Sequence, residues 1–559
     1  MKKFLLLGSL SLLTSIVSFA TTKSSRIDKD IPVHFISTPD LTQVKTEDAK
    51  NDKNGMFYRI GVFSYTNITN INSGKWSVLP TGEKMWQLNI KHPGAEALSF
   101  LFSSFNLSKG SIFYIENKKG ERVSDVLTKD DILEYNQQHI ALCFGDDLIL
   151  TLIDPANVEQ SEFMLDKIIY NYRSTGNPSL SKINESDAAC EVNVNCSEGT
   201  NYQDEKRGVA RIYVVGNSGA GWCSGSLINN IGNDCKPYFL SALHCGPSPT
   251  TTVQQMATWK FYFNYESPNC TNPTTAGTLA SKYVTGCVRI SDSNDNNGSN
   301  ITKSDFLLVQ LGTLANEATT INKLITFNAF WNGWDANNTV VNSGVSIHHP
   351  SGDIKKISTF STNLISSTWA STPNTHWRVF WAATTNGHGV TEGGSSGSPI
   401  FTYNSGNSRI IGTLSGGSSY CTATSSPDLY GKLSYHWTSN GTSSNQQLKP
   451  FLDPNSTGTL VMNGSSNPCN FVGLSEKTLN NDVKVYPNPT VDIINVDLNA
   501  LANQKVEISI LDMTGKVIYT SNSSAGNLVK IDISSFGKGI YQVILKSEGQ
   551  QLVQRISKL

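Results

Sequence analysis

The sequence predicts an all-β protein with more than one domain. Short runs rich in β-branched and aromatic residues recur along the chain, separated by turns of Gly, Asn and Ser. Charged residues make up only 16% of the composition, a low value that suits β-rich extracellular domains. The chain has 559 residues, more than a single hydrophobic core supports. Its formal net charge of −1 argues against binding to nucleic acid or to an anionic membrane.

The first twenty residues have the pattern of a secretory signal. A positive start at Met1–Lys3 leads into the apolar stretch Phe4–Val17, and Ser18–Ala20 supplies the small residues that signal peptidase reads. The alternative is a retained membrane anchor, but the apolar stretch is shorter than an ordinary membrane span. The sequence therefore predicts a signal peptide at residues 1–20 and a secreted, soluble mature protein.

The rest of the chain divides into four segments. Residues 21–182 contain strand-like runs such as Phe57–Val62 and Leu148–Ile153, which predict a β-rich domain. Residues 183–455 are dense in short β-type runs, and no amphipathic helix is expected there before Ser444–Leu452. Residues 456–473 are rich in Ser, Gly and Asn and predict a linker. Residues 474–559 predict a small antiparallel sandwich from four runs: Val483–Tyr486, Ile493–Val496, Val506–Leu511 and Tyr541–Leu545.

The cysteines are concentrated in one segment. Eight of the ten fall between Cys190 and Cys421, with only Cys143 before them and Cys469 after them. In an exported chain this distribution predicts a disulfide-stapled domain. No two cysteines have the close paired spacing of a zinc site, so metal binding is the weaker interpretation. Neither a metal nor an organic cofactor is expected.

The segment Gly394-Ser395-Ser396-Gly397-Ser398-Pro399 has the pattern of a nucleophilic serine on a tight turn. Glycines on both sides allow the backbone to turn sharply. The amides of Gly394 and Ser396 can then point at one position and form an oxyanion hole. Taken alone, the segment suits an ordinary Gly/Ser turn equally well.

Two further segments favour the catalytic interpretation. His244 follows the strand-like run Tyr238–Leu240, and Asp305 directly precedes the apolar run Phe306–Val309. Taken singly, the histidine would be structural and the aspartate a turn residue. Because His244, Asp305 and Ser396 all occur in contexts that suit nucleophilic catalysis, we predict that they form a catalytic triad.

The segment from Cys190 to Pro454 resembles the lysyl endopeptidases, bacterial secreted serine proteases of the chymotrypsin-like group. The resemblance rests on the triad motifs and on other short motifs spread over the segment: Cys190 and Cys196, Trp222–Leu227, Leu243–Gly246, Ser304–Phe306, Phe330–Asp335, Ile347–Pro350 and Ser425–Gly431. It implies a chymotrypsin-like double β-barrel, with two six-stranded barrels and the catalytic groups between them. It also implies a serine endopeptidase whose substrates are proteins and peptides.

The resemblance further implies a specificity pocket, S1. Asp428 matches an acid at its base, where a buried carboxylate favours a Lys or Arg side chain; the alternative is a surface turn. Ser415, Gly416 and Gly417 match the pocket wall, and Trp369 lies near a tryptophan that stacks on a histidine in the family. Here Ser415 stands in place of that histidine, so the stack is expected to be absent. The expected preference is for Lys, with acceptance of Arg left open.

Three disulfides are implied by the same resemblance, and two cysteines are extra to its pattern. Cys235 and Cys287 are the extra pair, and a bond between them is one alternative. The implied disulfides are Cys190–Cys421, Cys196–Cys270 and Cys223–Cys245.

Residues 21–182 are expected to be a propeptide that assists folding and covers the cleft. Lys182–Ile183 lies shortly before Cys190 and suits cleavage by the enzyme's own basic specificity, whereas the rival site Lys206–Arg207 follows two structural cysteines. Ser395 stands where pancreatic-type zymogens have the aspartate that pairs with the new N-terminus. Activation by such an ion pair is therefore not expected.

Residues 474–559 resemble the C-terminal sorting domain of the type IX secretion system. The resemblance implies contact with the secretion machinery and passage across the outer membrane, followed by release or surface attachment. The alternative is a carbohydrate- or partner-binding sandwich, but the segment has no aromatic cluster that supports it. The matching motifs are Val485–Pro489, Leu511–Lys516, Gly537–Tyr541 and Ile556–Leu559.

The sequence thus predicts a secreted, monomeric serine endopeptidase made as an inactive precursor. A catalytically inactive relative that serves as a binding protein would be expected to lack a triad residue, and all three are present. A structural or adhesive surface protein would be expected to contain internal repeats, and none is recognisable.

Overall fold

The computed structural model describes residues 30–53, 57–173, 190–246, 252–273, 282–295, 302–313, 316–369, 371–403, 407–469, 477–478, 483–498, 505–512, 516–524, 528–547 and 550–559. The predicted signal peptide and the predicted cleavage site Lys182–Ile183 lie outside these residues. The chain divides into two compact units, Met1–Pro468 and Cys469–Leu559. No helix among the described residues is long and apolar enough to cross a membrane.

The N-terminal region, residues 30–173, is built almost entirely of strands. Its one α-helix is α1 (Thr42–Lys53), and Asp40 accepts a hydrogen bond from the Thr42 amide where the helix begins. Strand β4 lies at the centre of a small sheet of order β1-β4-β8-β6, with β3 also on β4. The strands are β1 (Val33–Phe35), β2 (Tyr58–Thr69), β3 (Lys75–Val78), β4 (Lys84–Lys91), β5 (Ala97–Asn106), β6 (Ile112–Asn117), β7 (Gln138–Phe144), β8 (Asp147–Asp154) and β9 (Glu162–Asn171).

Residues 190–468 contain the predicted protease domain. Its α-helices are α2 (Glu205–Gly208), α3 (Val253–Met256), α4 (Glu317–Thr326), α5 (Leu433–Thr438) and α6 (Lys449–Leu452). Its strands are β10 (Val192–Asn193), β11 (Val209–Val215), β12 (Gly219–Leu227), β13 (Tyr238–Ser241), β14 (Lys260–Phe263), β15 (Tyr283–Thr285), β16 (Cys287–Asp292), β17 (Leu307–Leu311), β18 (Gly333–Asp335), β19 (Gly344–His348), β20 (Lys356–Phe360), β21 (Ile365–Trp369), β22 (Thr372–Val379), β23 (Pro399–Thr402), β24 (Arg409–Gly417), β25 (Asp428–Lys432) and β26 (Val461–Met462).

The first sheet of this domain continues into the N-terminal region. Its order is β15-β14-β11-β12-β2-β9-β5-β7. Strand β13 also pairs with β12, β17 pairs with β13, and β16 pairs with β17. The joint is an antiparallel ladder between β2 and β12, in which Tyr58 pairs with Trp222 and Val62 with Gly219. The N-terminal region is therefore hydrogen-bonded into the sheet that carries two of the predicted catalytic residues.

The second sheet has the order β10-β20-β19-β23-β24-β25-β22-β21, with β18 on β24 and β26 on β18. Strand β26 lies within the predicted linker, and Ser465 of the same segment bridges to Trp331. The segment predicted as a linker thus contributes a strand to the protease sheet. The all-β class is confirmed, but among the described residues neither ladder closes into the six-stranded barrel that the resemblance implied.

Helix α4 is absent from the sequence prediction. Its ten residues contain three threonines, and only Thr320 and Leu324 are buried. β-Branched residues have low helix propensity, so the sequence signal is weak and the helix depends on its packing against the sheet. The helix expected at Ser444–Leu452 occurs as two short pieces, a 3₁₀ turn at Ser444–Gln446 and α6.

The three disulfides that the resemblance implied are all formed in the protease domain. Cys235 is also disulfide-bonded, as is Cys469, whereas Cys287 is a buried free thiol. The alternative pairing of Cys235 with Cys287 is therefore wrong. The implied bonds have Cα–Cα distances of 5.5 Å for Cys190–Cys421, 4.3 Å for Cys196–Cys270 and 6.1 Å for Cys223–Cys245.

The C-terminal unit contains two small antiparallel-dominated sheets, as the sequence predicted. One has the order β27-β34-β33-β30-β31 and the other β28-β29-β32, and both contribute to a shared core of Val, Ile and Leu side chains. The strands are β27 (Lys477–Thr478), β28 (Lys484–Tyr486), β29 (Ile493–Asp497), β30 (Lys505–Leu511), β31 (Val517–Ser524), β32 (Leu528–Asp532), β33 (Gly539–Ser547) and β34 (Gln550–Lys558).

Candidate active site

His244 and Asp305 are joined by two hydrogen bonds inside the first sheet. His244 lies in a 3₁₀ turn after β13, and Asp305 directly precedes β17, which pairs with β13. The imidazole Nδ1 lies 2.7 Å from Asp305 Oδ2, and the His244 amide donates to Asp305 Oδ1 at 3.0 Å. Both side chains are fully buried. Because a carboxylate can only accept, Nδ1 carries the proton and Nε2 is free to act as a base.

Asp305 is held in an unusual backbone conformation by a second carboxylate. Its φ is +56°, a region that Asp tolerates better than most residues. Its amide donates to Asp295 Oδ2 at 2.9 Å. Burial raises the pKa of Asp295, and the nearby Asp305 charge adds to this effect. Asp295 is thus a supporting residue that sequence analysis missed, because only the tertiary fold brings it to Asp305.

Ser396 lies on the turn before β23, which is an interior strand of the second sheet. Gly394 and Gly397 flank it with φ values of +93° and +81°, so both positions require the conformational freedom of glycine. Ser224 of β12 donates its amide to the Ser396 carbonyl at 2.8 Å, and Sγ of Cys245 lies 3.4 Å from the same oxygen. Cys245 directly follows His244, so this contact places the Ser396 backbone close to the turn that carries His244. His244 Nε2 makes no hydrogen bond among the described residues, which is common in a free active site.

The turn around Ser396 presents two backbone amides with no protein acceptor among the described residues, those of Gly394 and Ser396. Both belong to peptide units whose carbonyls are anchored. The Gly393 carbonyl accepts from the Ser351 amide at 2.6 Å, and the Ser395 carbonyl accepts from the Ser398 amide at 2.9 Å. Because a peptide unit is planar and trans, anchoring the carbonyl also fixes the direction of the adjoining N–H.

Asp428 is a buried carboxylate in the pocket that contains Ser396. Trp381 Nε1, Thr391 Oγ1 and Ser419 Oγ donate to its Oδ2 at 2.6 to 2.7 Å, and the Ser419 amide donates to its Oδ1 at 3.2 Å. Burial raises the pKa of Asp428, and these donors partly oppose the change. The surface-turn alternative for Asp428 is excluded by its 1% exposure.

The predicted pocket residues divide into two groups. Gly416 and Gly417 line the cavity that also contains Ser396 and Asp428. Ser415 and Trp369 lie instead beside His376 of β22, whose Nε2 is 2.9 Å from Ser415 Oγ.

The Trp369 and His376 rings are 6.0 Å apart between centroids and tilted by 32°. The expected absence of a histidine beside the tryptophan is therefore wrong. His376 comes from the neighbouring strand, and burial lowers its pKa to about 4. Because the contact joins separate strands, no spacing in the sequence predicts it.

The N-terminal region closes the pocket. Asp52, at the end of α1, lines the cavity of Ser396 and Asp428, and the Tyr420 hydroxyl donates to the Asp52 carbonyl at 2.9 Å. Tyr58 packs so closely on Gly393 that a Cβ there would lie 2.4 Å from the Tyr58 ring. The remaining cavity is about 20 Å³, room for one water molecule but not for a lysine side chain.

A salt bridge holds this closing segment in place. Arg173 donates two hydrogen bonds to the Asp52 carboxylate, at 2.7 and 3.2 Å, and its guanidinium lies 4.3 Å from the centre of the Tyr58 ring. Asp48 is bonded to Arg59 at 2.8 Å on the same helix face. No local sequence pattern indicated these contacts. Among the described residues, no cluster of three or more His, Cys, Asp or Glu side chains is arranged to hold a metal ion.

Comparison with known proteins identifies two segments of this chain. Residues 183–431 match the family described as lysyl endopeptidase, C-terminal domain, and residues 484–558 match the secretion system C-terminal sorting domain. A lysyl endopeptidase of Pseudomonas aeruginosa is 29% identical over 299 residues, which cover 50% of this chain. The match spans 57% of that relative's length.

Two solved serine proteases also match part of the chain. The thermostable protease AL20 from an extremophilic microorganism is 12% identical and has a TM-score of 0.28, covering 41% of this chain and 92% of its own. Protease Anisep from Arthrobacter nicotinovorans is 17% identical and has a TM-score of 0.29, and the match covers 41% of this chain and 91% of Anisep.

The two family matches confirm the resemblances found in the sequence. The second confirms the predicted sorting domain and, with it, export from the cell. Residues 183–431 are therefore similar to the lysyl endopeptidase C-terminal domain, and residues 484–558 to a secretion system C-terminal sorting domain.

Proposed function

We propose that the protein is a secreted serine endopeptidase that hydrolyses peptide bonds after basic residues. The observation that carries the proposal is the buried His244–Asp305 pair next to the glycine-flanked Ser396, with a buried carboxylate in the same pocket. A catalytically inactive binding protein is the second candidate, and the absence of turnover by the fully processed protein would favour it.

The residues suit an acyl-enzyme mechanism. Ser396 Oγ attacks the scissile carbonyl while His244 Nε2 accepts its proton, and Asp305 stabilises the resulting imidazolium. The amides of Gly394 and Ser396 stabilise the oxyanion, each contributing about 3–4 kcal/mol. The imidazolium then protonates the leaving amine, and water hydrolyses the acyl-enzyme with His244 again as base.

Asp428 is proposed to select a basic side chain at P1, the residue before the cleaved bond. A cation entering this pocket would pair with a carboxylate that already accepts four hydrogen bonds from the protein. A neutral side chain would leave that charge buried without a counterion, which is costly. Lys is the favoured residue, and Arg is the second candidate for the same pocket.

Replacing Asp428 by Asn is expected to lower kcat/KM for substrates with Lys at P1 by about 10²–10³-fold, because the substrate ammonium loses its only buried counterion in the pocket. The test is a mass-spectrometric digest of a denatured protein mixture by the processed enzyme, followed by kinetics on matched peptides. The wild type should cleave after Lys or after Lys and Arg, and pretreatment with a fluorophosphonate should stop cleavage. Asp335→Asn, on β18 outside the pocket, is the matched control. Cleavage without a basic preference would contradict the role of Asp428.

We also propose that residues 21–182 are a propeptide that keeps the precursor inactive by closing S1. Asp52 lies in the pocket, Tyr58 covers Gly393, and β2 extends the sheet at β12. Cleavage at Lys182–Ile183 is the proposed first activating step. An active form whose N-terminal sequence begins at Thr21 would contradict this proposal.

Acidic pH is expected to weaken the binding of the cleaved propeptide. His139 Nδ1 lies 2.7 Å from the Thr258 carbonyl oxygen, and burial, with help from the Lys260 charge, lowers the pKa of His139 to about 3. Released propeptide would have an ordinary histidine pKa of about 6.5 and would bind more protons between pH 6.5 and pH 3. Affinity should therefore be complete above pH 6.5 and fall about 10²-fold by pH 4.5.

The measurement is the dissociation constant of the propeptide for the processed enzyme carrying the inactivating Ser396→Ala substitution, at pH 7 and pH 4.5. His139→Gln retains a donor for the Thr258 carbonyl but cannot gain a charge, so it should remove most of this pH dependence. An unchanged pH dependence in His139→Gln would assign the effect to other groups.

The proposed partners follow from the two domains. Proteins and peptides are the substrates, and the type IX secretion machinery is the partner of the sorting domain. A monomer without bound nucleic acid, metal or organic cofactor is the proposed state, and light scattering of the processed enzyme would test its oligomeric state.

A further inference from the structure

The motif Ile347-His348-His349-Pro350 has no role in the mechanism described above, yet it packs against the backbone just before Ser396. His348 ends β19, and the short turn Pro350–Gly352 follows it. A Cβ added to Gly394 would lie 2.9 Å from the Gly352 amide and 3.0 Å from the His349 carbonyl, so this turn supports the oxyanion-hole backbone from below.

His348 connects this turn to Ser395, the residue before the nucleophile. Its Nδ1 lies 2.7 Å from Ser395 Oγ, and its Nε2 lies 3.0 Å from Ser358 Oγ. All three side chains are fully buried. Ser395 Oγ also accepts from the Glu392 amide at 3.2 Å, so the contact holds both ends of the bend that precedes Ser396.

The hydrogen bonds determine which nitrogen carries the proton. Ser358 donates its hydroxyl to the Val390 carbonyl at 2.7 Å, so its oxygen is left to accept from His348 Nε2–H. A neutral imidazole with a proton on Nε2 has a bare Nδ1, which accepts from the Ser395 hydroxyl. The chain of donors therefore runs from Ser395 through His348 and Ser358 to Val390, and contains no charge.

A second connection reaches the same bend from β12. The His349 amide donates to Ser224 Oγ at 3.0 Å, and Ser224 Oγ donates to the Gly394 carbonyl at 2.9 Å. The Gly393 carbonyl accepts from the Ser351 amide, and the Ser395 carbonyl accepts from the Ser398 amide. Ser224 donates to the other two carbonyls, those of Gly394 and Ser396. All four carbonyls from Gly393 to Ser396 are therefore hydrogen-bonded. The bend has its complete set of contacts while the N-terminal region is still in place.

We propose that His348 is a positioning residue for the oxyanion hole: its neutral hydrogen bond to Ser395 holds the Gly393–Ser398 bend in the form that binds the oxyanion. This inference rests on the proposed endopeptidase function and concerns the same site. It assigns to an uncharged His–Ser contact the task that an ammonium–carboxylate pair performs in pancreatic-type zymogens. Removal of the N-terminal region would then activate the enzyme by exposing the site, without any rearrangement of the bend.

The test compares processed enzymes that carry Ser395→Ala, His348→Leu, His348→Asn or the double substitution Ser395→Ala/His348→Leu. Ser395→Ala is expected to lower kcat about 10²-fold with KM within about twofold, as when one oxyanion donor is misplaced. His348→Leu should give the same loss. Asn places an acceptor near the Nδ1 position, so kcat of His348→Asn should be at least tenfold higher than kcat of His348→Leu. The double variant should lose no more than the worse single variant, because both residues act through one hydrogen bond.

Two ligands separate positioning from general structural damage. Affinity for a peptidyl boronate with Lys at P1, which forms a tetrahedral adduct, should fall in parallel with kcat. The inhibition constant of butylamine, a mimic of the lysine side chain, should stay within about twofold, because S1 is not altered. Ser395→Ala is the smallest change and keeps the test valid if His348→Leu does not fold.

The inference is overturned if Ser395→Ala keeps kcat within twofold of wild type, if the loss appears in KM instead, or if the double variant shows the product of the single losses. Failure of the proposed function gives a different result: the processed wild-type enzyme itself would neither turn over substrate nor bind the boronate.

Discussion

Ser396→Ala is expected to lower kcat by about 10⁶-fold. In the proposed mechanism the Ser396 oxygen forms the acyl bond. The neighbouring hydroxyls cannot take its place, because Ser395 Oγ is engaged by His348 and Ser398 is buried. The backbone should be unaffected, since the contact from the Ser224 amide is to the Ser396 carbonyl and not to its side chain.

The measurement is kcat on a peptide with Lys at P1, together with the mass of the exported protein. If Lys182–Ile183 is cleaved by the enzyme itself, Ser396→Ala should accumulate as the uncleaved precursor when no other protease is present. Ser291→Ala is the matched control, because Ser291 is a buried serine on β16 that donates to the Gln447 carbonyl and has no place in the site. Residual turnover within about tenfold of wild type would identify a different nucleophile.

Asp305→Asn is expected to lower kcat by about 10⁴-fold while leaving KM nearly unchanged. Asn has almost the same shape and tolerates the φ of +56° at this position. Its carbonyl oxygen can still accept from the His244 amide, which leaves its NH₂ group facing His244 Nδ1. Because that NH₂ can only donate, the imidazole must carry its proton on Nε2, where it cannot accept the proton of Ser396.

The test is steady-state kinetics with a parallel thermal unfolding curve. Asp295→Asn is the informative comparison: Asp295 accepts from the Asp305 amide and touches neither His244 nor the substrate, so its loss of kcat should be much smaller. Equal losses in the two variants would mean that the aspartate network supports the fold and does not set the histidine tautomer.

Several strands were predictable from local sequence patterns. Strands such as β8, β29 and β30 appear close to their predicted positions because each has an apolar run bounded by turn residues. Helix α4 was missed because its threonines weaken the helical pattern, and β26 because a two-residue strand leaves no pattern.

The predicted catalytic residues stand out in the sequence because each lies in a short motif of its own. Glycines mark the turn at Ser396, Cys245 accompanies His244, and an apolar strand follows Asp305. The residues that hydrogen-bond to or pack against the site have no such sequence motif. Asp295, Ser419 and His376 are ordinary polar residues in sequence, and their roles arise only from the distances at which the fold places them.

Local patterns in the sequence were enough to predict export, a Ser-His-Asp triad with an oxyanion turn, an acid for a basic substrate, and a terminal sorting domain. These features reside in local residue types and short spacings. Only the tertiary structure decided how the site is supported and closed. Asp52 reaches the pocket of Asp428 across more than half of the chain, and His348 reaches Ser395 from another strand, because packing and hydrogen bonding join segments whose separation in sequence carries no periodic signal.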